Sequence, residues 1–373
     1  MQRSLRIHLA SPAENAWSET FIAAHIDRLE KVELLLTGGV PPRNASKGPQ
    51  PAARGPWGRR MDRLISQFHG GMPGLLRHRL ARRWGRDRPD VVLAEYGTMG
   101  AEIWPACRDA EVPLVVHFHG FDAHRNDYVV RYGRYAELFA YASALVVVSR
   151  AMERRLIALG APAEKVIYNC YGIDIGQFAA GDASKSPPHL LAVGRFAEKK
   201  APQVTIRAFK MAIAQVPEAR LTMVGKGVLW EECRRLVAEL GLSGSVDLCG
   251  VKRPDEIVAL MHASRAFVQH SVVTPTGDHE GTPLAVLESM AAQLPVVSTA
   301  HAGIADVVEH EVSGLLGAEH DVESMAANMV RLLRDPALAG AMGRAGRARV
   351  EGHHRVEVQV AGLQSILEKA AAR

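Results

Sequence analysis

The sequence predicts an α/β fold of two facing, doubly wound domains with a cleft between them, and three observations predict it. The chain has 373 residues, too many for one domain of ordinary size. Short apolar runs alternate with helical patterns through the first half. The alternation then restarts after a small, polar, proline-bearing break, "AAGDASKSPPH" (Ala179–His189), which reads as an interdomain linker. Strand–helix alternation indicates a parallel sheet covered on both faces. Ligands of open sheets bind beyond the carboxyl ends of strands, so the expected site is the cleft between a domain 1–180 and a domain 181–353.

Each element has its own signal. "SLRIHLA" (Ser4–Ala10) reads as a strand and "SETFIAAHIDRL" (Ser18–Leu29) as a helix with Ser18 as N-cap. "KVELLLTG" (Lys31–Gly38) is the next strand. From Gly39 to Gly58 a loop rich in Pro, Gly, Arg and Ala has the composition expected of a mobile segment. "DVVLAEYG", "PLVVHFHG" and "ALVVVSR" are further buried strands separated by helices. After the break come "HLLAVGR" (strand), "APQVTIRAFKMAIAQ" (helix), "ARLTMVG" (strand) and "LWEECRRLVAELG" (helix). "SVDLCG", "RAFVQHS" and "LPVVST" continue the strand series.

Composition narrows the class. With 47% hydrophobic and 23% charged residues the chain is globular. It has no apolar run of about 18 residues and no long apolar N-terminal segment of secretory type. Cys107, Cys170, Cys233 and Cys249 show no CxxC spacing and fit reduced thiols of a cytosolic protein. The net charge of +5 hides a local bias: residues 43–90 carry twelve Lys/Arg against three Asp, interleaved with apolar Trp57, Leu64, Phe68 and Trp84. Such a segment suits an anionic membrane surface or a solvated helix face. No nucleic-acid motif accompanies it.

Strand-end loops carry the chemistry. "AVGRFAEKKAP" sets Gly194, Arg195, Lys199 and Lys200 directly after a strand, where glycine admits a ligand to the backbone and the cations neutralise phosphate oxygens. Gly225 in "MVGKG" is a second such turn. Neither a Walker A loop nor G-x-G-x-x-G is present. In "TGDHEGTPLAVLESMA" Pro283 suits the first turn of a helix running to about Gln293, with Thr282 as N-cap. Glu280 then precedes the positive helix end, a phosphate site, and Glu288 lies within the helix. His117 and His119 share a strand face, but no third ligand is indicated for them or for His124, and "DHE" is not in a metal-binding context; no metal site is expected.

At this point "HEGTPLAVLESMA", "VGRFAEKKAP", "SVDLCGVKRPDEI" and "AGIADVVEHEVSGLL" resemble the retaining, sugar-nucleotide-dependent glycosyltransferases of family four, which have the two-domain, Rossmann-like GT-B fold. The wording around Glu280 is similar to the exopolysaccharide, colanic-acid-type branch. The resemblance implies roles residue by residue. Arg195 and Lys200 would hold the donor diphosphate and stabilise the leaving nucleotide. Glu280 would approach the donor sugar and Glu288 the ribose hydroxyls. Gly194, Gly225, Thr282, Pro283 and Leu284 would line the donor, and Val251 and Lys252 would frame the nucleobase. In the first domain "HGFD" places His119 beside the reacting sugar with Asp122 nearby. Ser18, Glu19, Thr20 and Glu95 are acceptor-side candidates, although Glu95 equally suits a loop cap.

The chain departs from the family at Ala201 and Ala302, where Gly is usual, at His270, where Pro is frequent, and at Thr282-Pro283. The resemblance further implies net retention, no cofactor or metal, a UDP- or GDP-sugar donor, and a polyprenyl-diphosphate-linked or other saccharide acceptor. It also implies a cytoplasmic enzyme peripheral to the inner face of the cell membrane, and a last helix, 354–373, packing back on the first domain. The rivals are a sugar-nucleotide epimerase of the same architecture and a catalytically silent nucleotide-sugar-binding homologue or partner subunit.

Overall fold

The computed structural model describes residues 4–12, 20–42, 44–45 and 74–372. They form two compact units, Met1–Gly172 with Glu357–Arg373, and Ile173–Val356.

The first unit is built on a seven-stranded sheet. Its strands are β1 (Ile7–Ala10), β2 (Val32–Thr37), β3 (Asn44–Ala45), β4 (Val91–Glu95), β5 (Leu114–Phe118), β6 (Ala144–Val147) and β7 (Val166–Tyr168), in the order β3-β2-β1-β4-β5-β6-β7. Only the two-residue β3 is antiparallel, against β2. β4 and β5 are buried along their whole length, as near-continuous apolar runs must be when helices cover both faces. Trp84, Phe118 and Phe139 are among the largest buried side chains, each adding about 1.5–3 kcal/mol by leaving water. The chain moves from β1 to β2 on one side and returns to β4 on the other. The switch point therefore lies at the carboxyl ends of β1 and β4, beside Glu95, which pairs in register with His117 of β5.

Tyr96, directly after Glu95, has φ 76° and caps the helix Gly97–Asp109. A non-glycine residue in that region is strained by about 1–2 kcal/mol. The helix Val356–Ala371 is tied to the unit by an Asn169 side-chain N–H donating to the Gln359 carbonyl (3.2 Å) and by Arg28–Glu357 (3.0 Å).

The second unit carries an all-parallel sheet: β8 (His189–Val193), β9 (Arg220–Val224), β10 (Val246–Gly250), β11 (Ala266–Val268), β12 (Val296–Thr299) and β13 (Gly314–Gly317), ordered β10-β9-β8-β11-β12-β13. Its switch point falls between β8 and β11, which pair directly and are followed at once by Gly194 and Gln269. The segment 179–189 lies inside this unit. Ala183 is in its core, Gly181 N donates to Ala292 O (3.0 Å) and Arg265 Nε donates to Ser186 O (3.1 Å).

The helix expected from Pro283 runs Leu284–Ala291 with Pro283 itself at the N-cap, φ −82° and ψ 96°. Thr282 is not the cap and the helix stops short of Gln293. The expected helix overshoots by one residue at its start, where Pro283 takes an extended ψ, and by two at its end, where Gln293 has left-handed backbone at φ 61°. Among the described residues no helix is long and apolar enough to cross a membrane.

Candidate active site

In the second unit the residues expected at the donor converge on the β8/β11 switch point. Lys200 Nζ donates to Gln269 Oε1 at 3.1 Å and lies 3.1 Å from Glu280 Oε1. Arg195 is exposed and borders the same depression as Gly194, Lys200 and Gln269. Gly225 has φ 128°, and a Cβ there would collide with the carbonyl oxygen of Gly194, so only glycine lets the β9 loop pass this close to the β8 loop. Leu284 and Ala285 open a helix whose first-turn N–H groups lack intrahelical acceptors, which gives this edge a positive field.

The two glutamates differ in charge state because their neighbours differ. Burial would raise the Glu280 carboxyl, but the ammonium of Lys200, then that of Lys199, outweighs it and holds the group at about 2. Glu288 feels burial first and Lys200 only weakly, and is pushed up to about 7. Around Glu280 the loop is clasped from three sides. Lys199 Nζ bridges Asp278 Oδ1 (3.3 Å) and His279 O (3.2 Å). The Glu280 N–H donates to His301 Nε2 (3.2 Å), and His301 Nδ1 sits 2.6 Å from Glu319 Oε1. The other Glu319 oxygen accepts from Val273 N at 2.8 Å.

In the first unit a buried carboxylate gathers imidazoles. Glu95 Oε1 lies 2.7 Å from His25 Nδ1, and Glu95 Oε2 lies 2.7 Å from His119 Nε2. The far nitrogen of His119 meets the Tyr171 hydroxyl at 2.6 Å, and Phe21 stacks on Tyr171. Burial would raise Glu95; the charges of and hydrogen bonds to His25 and His119 more than reverse that and keep it ionised. Asp122, fully buried, accepts from Gly97 N (2.7 Å), His119 N (3.0 Å) and Gly120 N (2.9 Å). It is a clasp for the turn that carries His119.

Residues 177–349 match the family described as Glycosyl transferases group 1, and residues 30–177 match Glycosyltransferase Family 4. The chain is 34% identical over 288 residues to the amylovoran biosynthesis glycosyltransferase of Erwinia amylovora, covering 76% of this chain and 70% of the relative. The chain belongs to the family 4 glycosyltransferases. It is also 30% identical to a glycosyltransferase of Escherichia coli named for colanic acid biosynthesis, covering 75% of this chain and 71% of that one. Among solved structures, Anabaena HepE in complex with UDP and glucose superposes with TM-score 0.75 at 19% identity, over 98% of this chain and 100% of that one. Sucrose-phosphate synthase from Thermosynechococcus elongatus gives 0.75 at 19% identity, over 99% of each chain. The fold of the glycosyltransferase is GT-B.

Within this glycosyltransferase the sequence-predicted residues divide clearly. Gly194, Arg195, Lys200 and Gly225 gather at one sheet edge, with Glu280 and Glu288 within electrostatic reach of Lys200. Val251 is exposed, and Lys252 reaches Glu256 at 3.3 Å across the first turn of the next helix. His119 and Glu95 come together, whereas Asp122 turns its carboxylate to backbone N–H groups and not to open space. Thr20 is the exposed first residue of the helix Thr20–Arg28; Ser18 and Glu19 lie outside the described residues. Sequence reasoning missed His25, Tyr171, His301 and Glu319. His25 follows Phe21 at helical i, i+4 spacing, a one-face signal that was available. The other three depend on long-range packing.

Proposed function

We propose that the glycosyltransferase moves a hexosyl residue, with net retention and without a metal, from a UDP- or GDP-sugar to a saccharide acceptor, polyprenyl-diphosphate-linked, in surface or exopolysaccharide synthesis. The observation that carries this reading is Lys200, held between Gln269 and Glu280 at the switch point beside the exposed Arg195. Breaking an anomeric C–O bond leaves an oxocarbenium-like sugar and sends negative charge onto the diphosphate. Fixed cations and helix N-termini aimed at that charge supply the largest stabilisation. Lys200 is oriented by Gln269 and Glu280, and Arg195 adds a planar guanidinium that pairs bidentately with phosphate oxygens. The ionised Glu280 suits sugar hydroxyls. Glu288, one helical turn beyond the N–H groups of Leu284 and Ala285, suits the ribose.

The names of the relatives support the polysaccharide setting, and the UDP complex of the structural neighbour supports a nucleotide-sugar donor. For membrane contact at the inner face, support comes from the helix Gly74–Asp87, where exposed Arg79, Arg82 and Arg86 accompany exposed Leu75; the rest of the basic segment, Arg43 and residues 46–73, lies outside the described residues. The experiment is a nucleotide-sugar panel with a lipid-linked saccharide acceptor, scored by product mass and anomeric configuration. One donor turning over with retention, and loss of that activity in Lys200→Ala, is the expected result. A donor that binds without turnover in every acceptor mixture favours the silent homologue. Epimerised donor without transfer favours the epimerase.

A further inference from the structure

His25, Glu95 and His117 come from three different elements, the helix Thr20–Arg28, β4 and β5, yet one ligand atom of each lies within 4.8 Å of the others. All three side chains are buried, Glu95 and His117 completely. Glu95 and His117 are register partners on neighbouring parallel strands, so the sheet fixes their spacing before any ligand arrives. His117 is the odd member. Neither of its ring nitrogens meets a hydrogen-bond partner at bonding geometry, although the Asn169 backbone approaches the ring. A buried polar group left in that state is costly.

The His117 Nδ1 to Glu95 Oε2 separation is 3.6 Å, too long for a hydrogen bond. It is close to the ~3.4 Å edge of a ligand tetrahedron with ~2.1 Å bonds around zinc. We infer that His25, Glu95 and His117 form a buried site for a zinc-type divalent cation. The contacts of His25 and His119 satisfy the Glu95 carboxylate, while among the described residues His117 is left with the approach of the Asn169 backbone alone. An ion serves all three.

Two imidazoles and one carboxylate select a borderline metal over magnesium or calcium, which favour all-oxygen shells. On binding, His25 Nδ1 turns from Glu95 Oε1 to the ion. His119 Nε2, 2.7 Å from Glu95 Oε2, stays as the outer-shell donor that orients the carboxylate. Through the Tyr171 contact at the other His119 nitrogen, occupancy would brace the turn carrying His119. The site is structural: the transfer chemistry assigned to Lys200 and Arg195 does not pass through it.

The test uses full-length protein without a polyhistidine tag. Metal content is measured by mass spectrometry as purified, and thermal unfolding is followed during titration with zinc and then with EDTA. Expected are about one zinc per chain, a rise in Tm with zinc that EDTA reverses, and at least a ~100-fold weaker zinc affinity in both His117→Gln and His25→Gln. Circular dichroism checks that the variants fold, and two substitutions on different elements guard against one of them failing. Exposed His310 and His353 provide the control: their alanine variants keep wild-type zinc affinity. Absence of zinc binding at micromolar concentration overturns the site. So does zinc affinity unchanged in a folded His117→Gln or His25→Gln, which would mark binding at surface histidines.

Discussion

Lys200 Nζ sits 3.1 Å from Glu280 Oε1 and donates to Gln269 Oε1 at the same distance. The charge of Lys200 is what keeps the buried Glu280 carboxyl ionised. Removing the cation leaves a buried carboxylate uncompensated. Lys200→Ala is expected to lower stability by about 3 kcal/mol and turnover by about 10²–10³. Adding Glu280→Gln should restore most of the stability and none of the turnover. Chemical unfolding and donor turnover on the same preparations check this. Recovery of turnover in the double variant would show that Lys200 acts through Glu280 and not on the leaving group.

If Glu288 takes the ribose as proposed, nucleotide binding is expected to depend on pH. Its carboxyl is pushed up to about 7 by burial, while ribose hydroxyls donate best to the ionised form. Nucleotide affinity should therefore rise about tenfold per pH unit from pH 5 towards 7 and level off above. The unfolded chain ionises this group near 4.5, so folded stability is lost as pH rises from 4.5 through 7, by up to ~3 kcal/mol. Glu288→Gln should be the more stable protein at pH 8, match the wild type at pH 4, and bind nucleotide weakly at both. Calorimetric titration at three pH values tests the first part and thermal unfolding the second. A flat affinity profile removes Glu288 from the ribose.

The alanines standing where the family has glycine sit in left-handed backbone: Ala201 at φ 32° and Ala302 at φ 40°. They directly follow Lys200 and His301, so their strain is borne in the loops that carry those two side chains. A left-handed residue with a Cβ is penalised by about 1–2 kcal/mol, partly offset by glycine's greater freedom when unfolded. Ala201→Gly and Ala302→Gly are each expected to stabilise by about 0.5–1 kcal/mol, read as a higher urea midpoint at constant slope. A lower midpoint in either variant would contradict the strain.

Periodicity made most of both sheets legible. β1, β2, β4, β5 and β6, and most strands from β8 to β12, were readable as apolar runs because burial on both faces demands such runs; β10, an edge strand with Asp247 exposed, was readable from its place in the alternation. β7 has three residues, and β13, "GLLG", is bounded by glycines that read as a turn. Segment 179–189 looked like a linker because its side chains are small. The contacts that hold it, the Gly181 N–H to the Ala292 carbonyl and the Arg265 guanidinium to the Ser186 carbonyl, span long sequence distances. Lys200, Glu280 and Glu288 were legible through motif wording. His301 and Glu319 were not, since their partnership exists only once β12 and β13 lie side by side.

That partnership carries a tautomer argument. Glu319 Oε1 lies 2.6 Å from His301 Nδ1 and, as an ionised acceptor, places the proton there. Nε2 is then left to accept from the Glu280 N–H at 3.2 Å. The second Glu319 oxygen meanwhile takes the Val273 N–H, so one His–Glu pair fixes both ends of the loop bearing Asp278, His279 and Glu280. In Glu319→Gln the amide oxygen keeps Val273 while the amide N–H₂ faces His301 Nδ1. The proton is driven to Nε2, where it opposes the Glu280 N–H donor to donor. Burial of two opposed donors is costly, so the loop should shift and donor affinity fall about tenfold, or ~1.4 kcal/mol. Nuclear magnetic resonance of the imidazole nitrogens would report the exchanged tautomer, and calorimetry with the accepted nucleotide sugar the affinity. A switched tautomer with unchanged affinity would mean that the Glu280 loop is held by Lys199 alone.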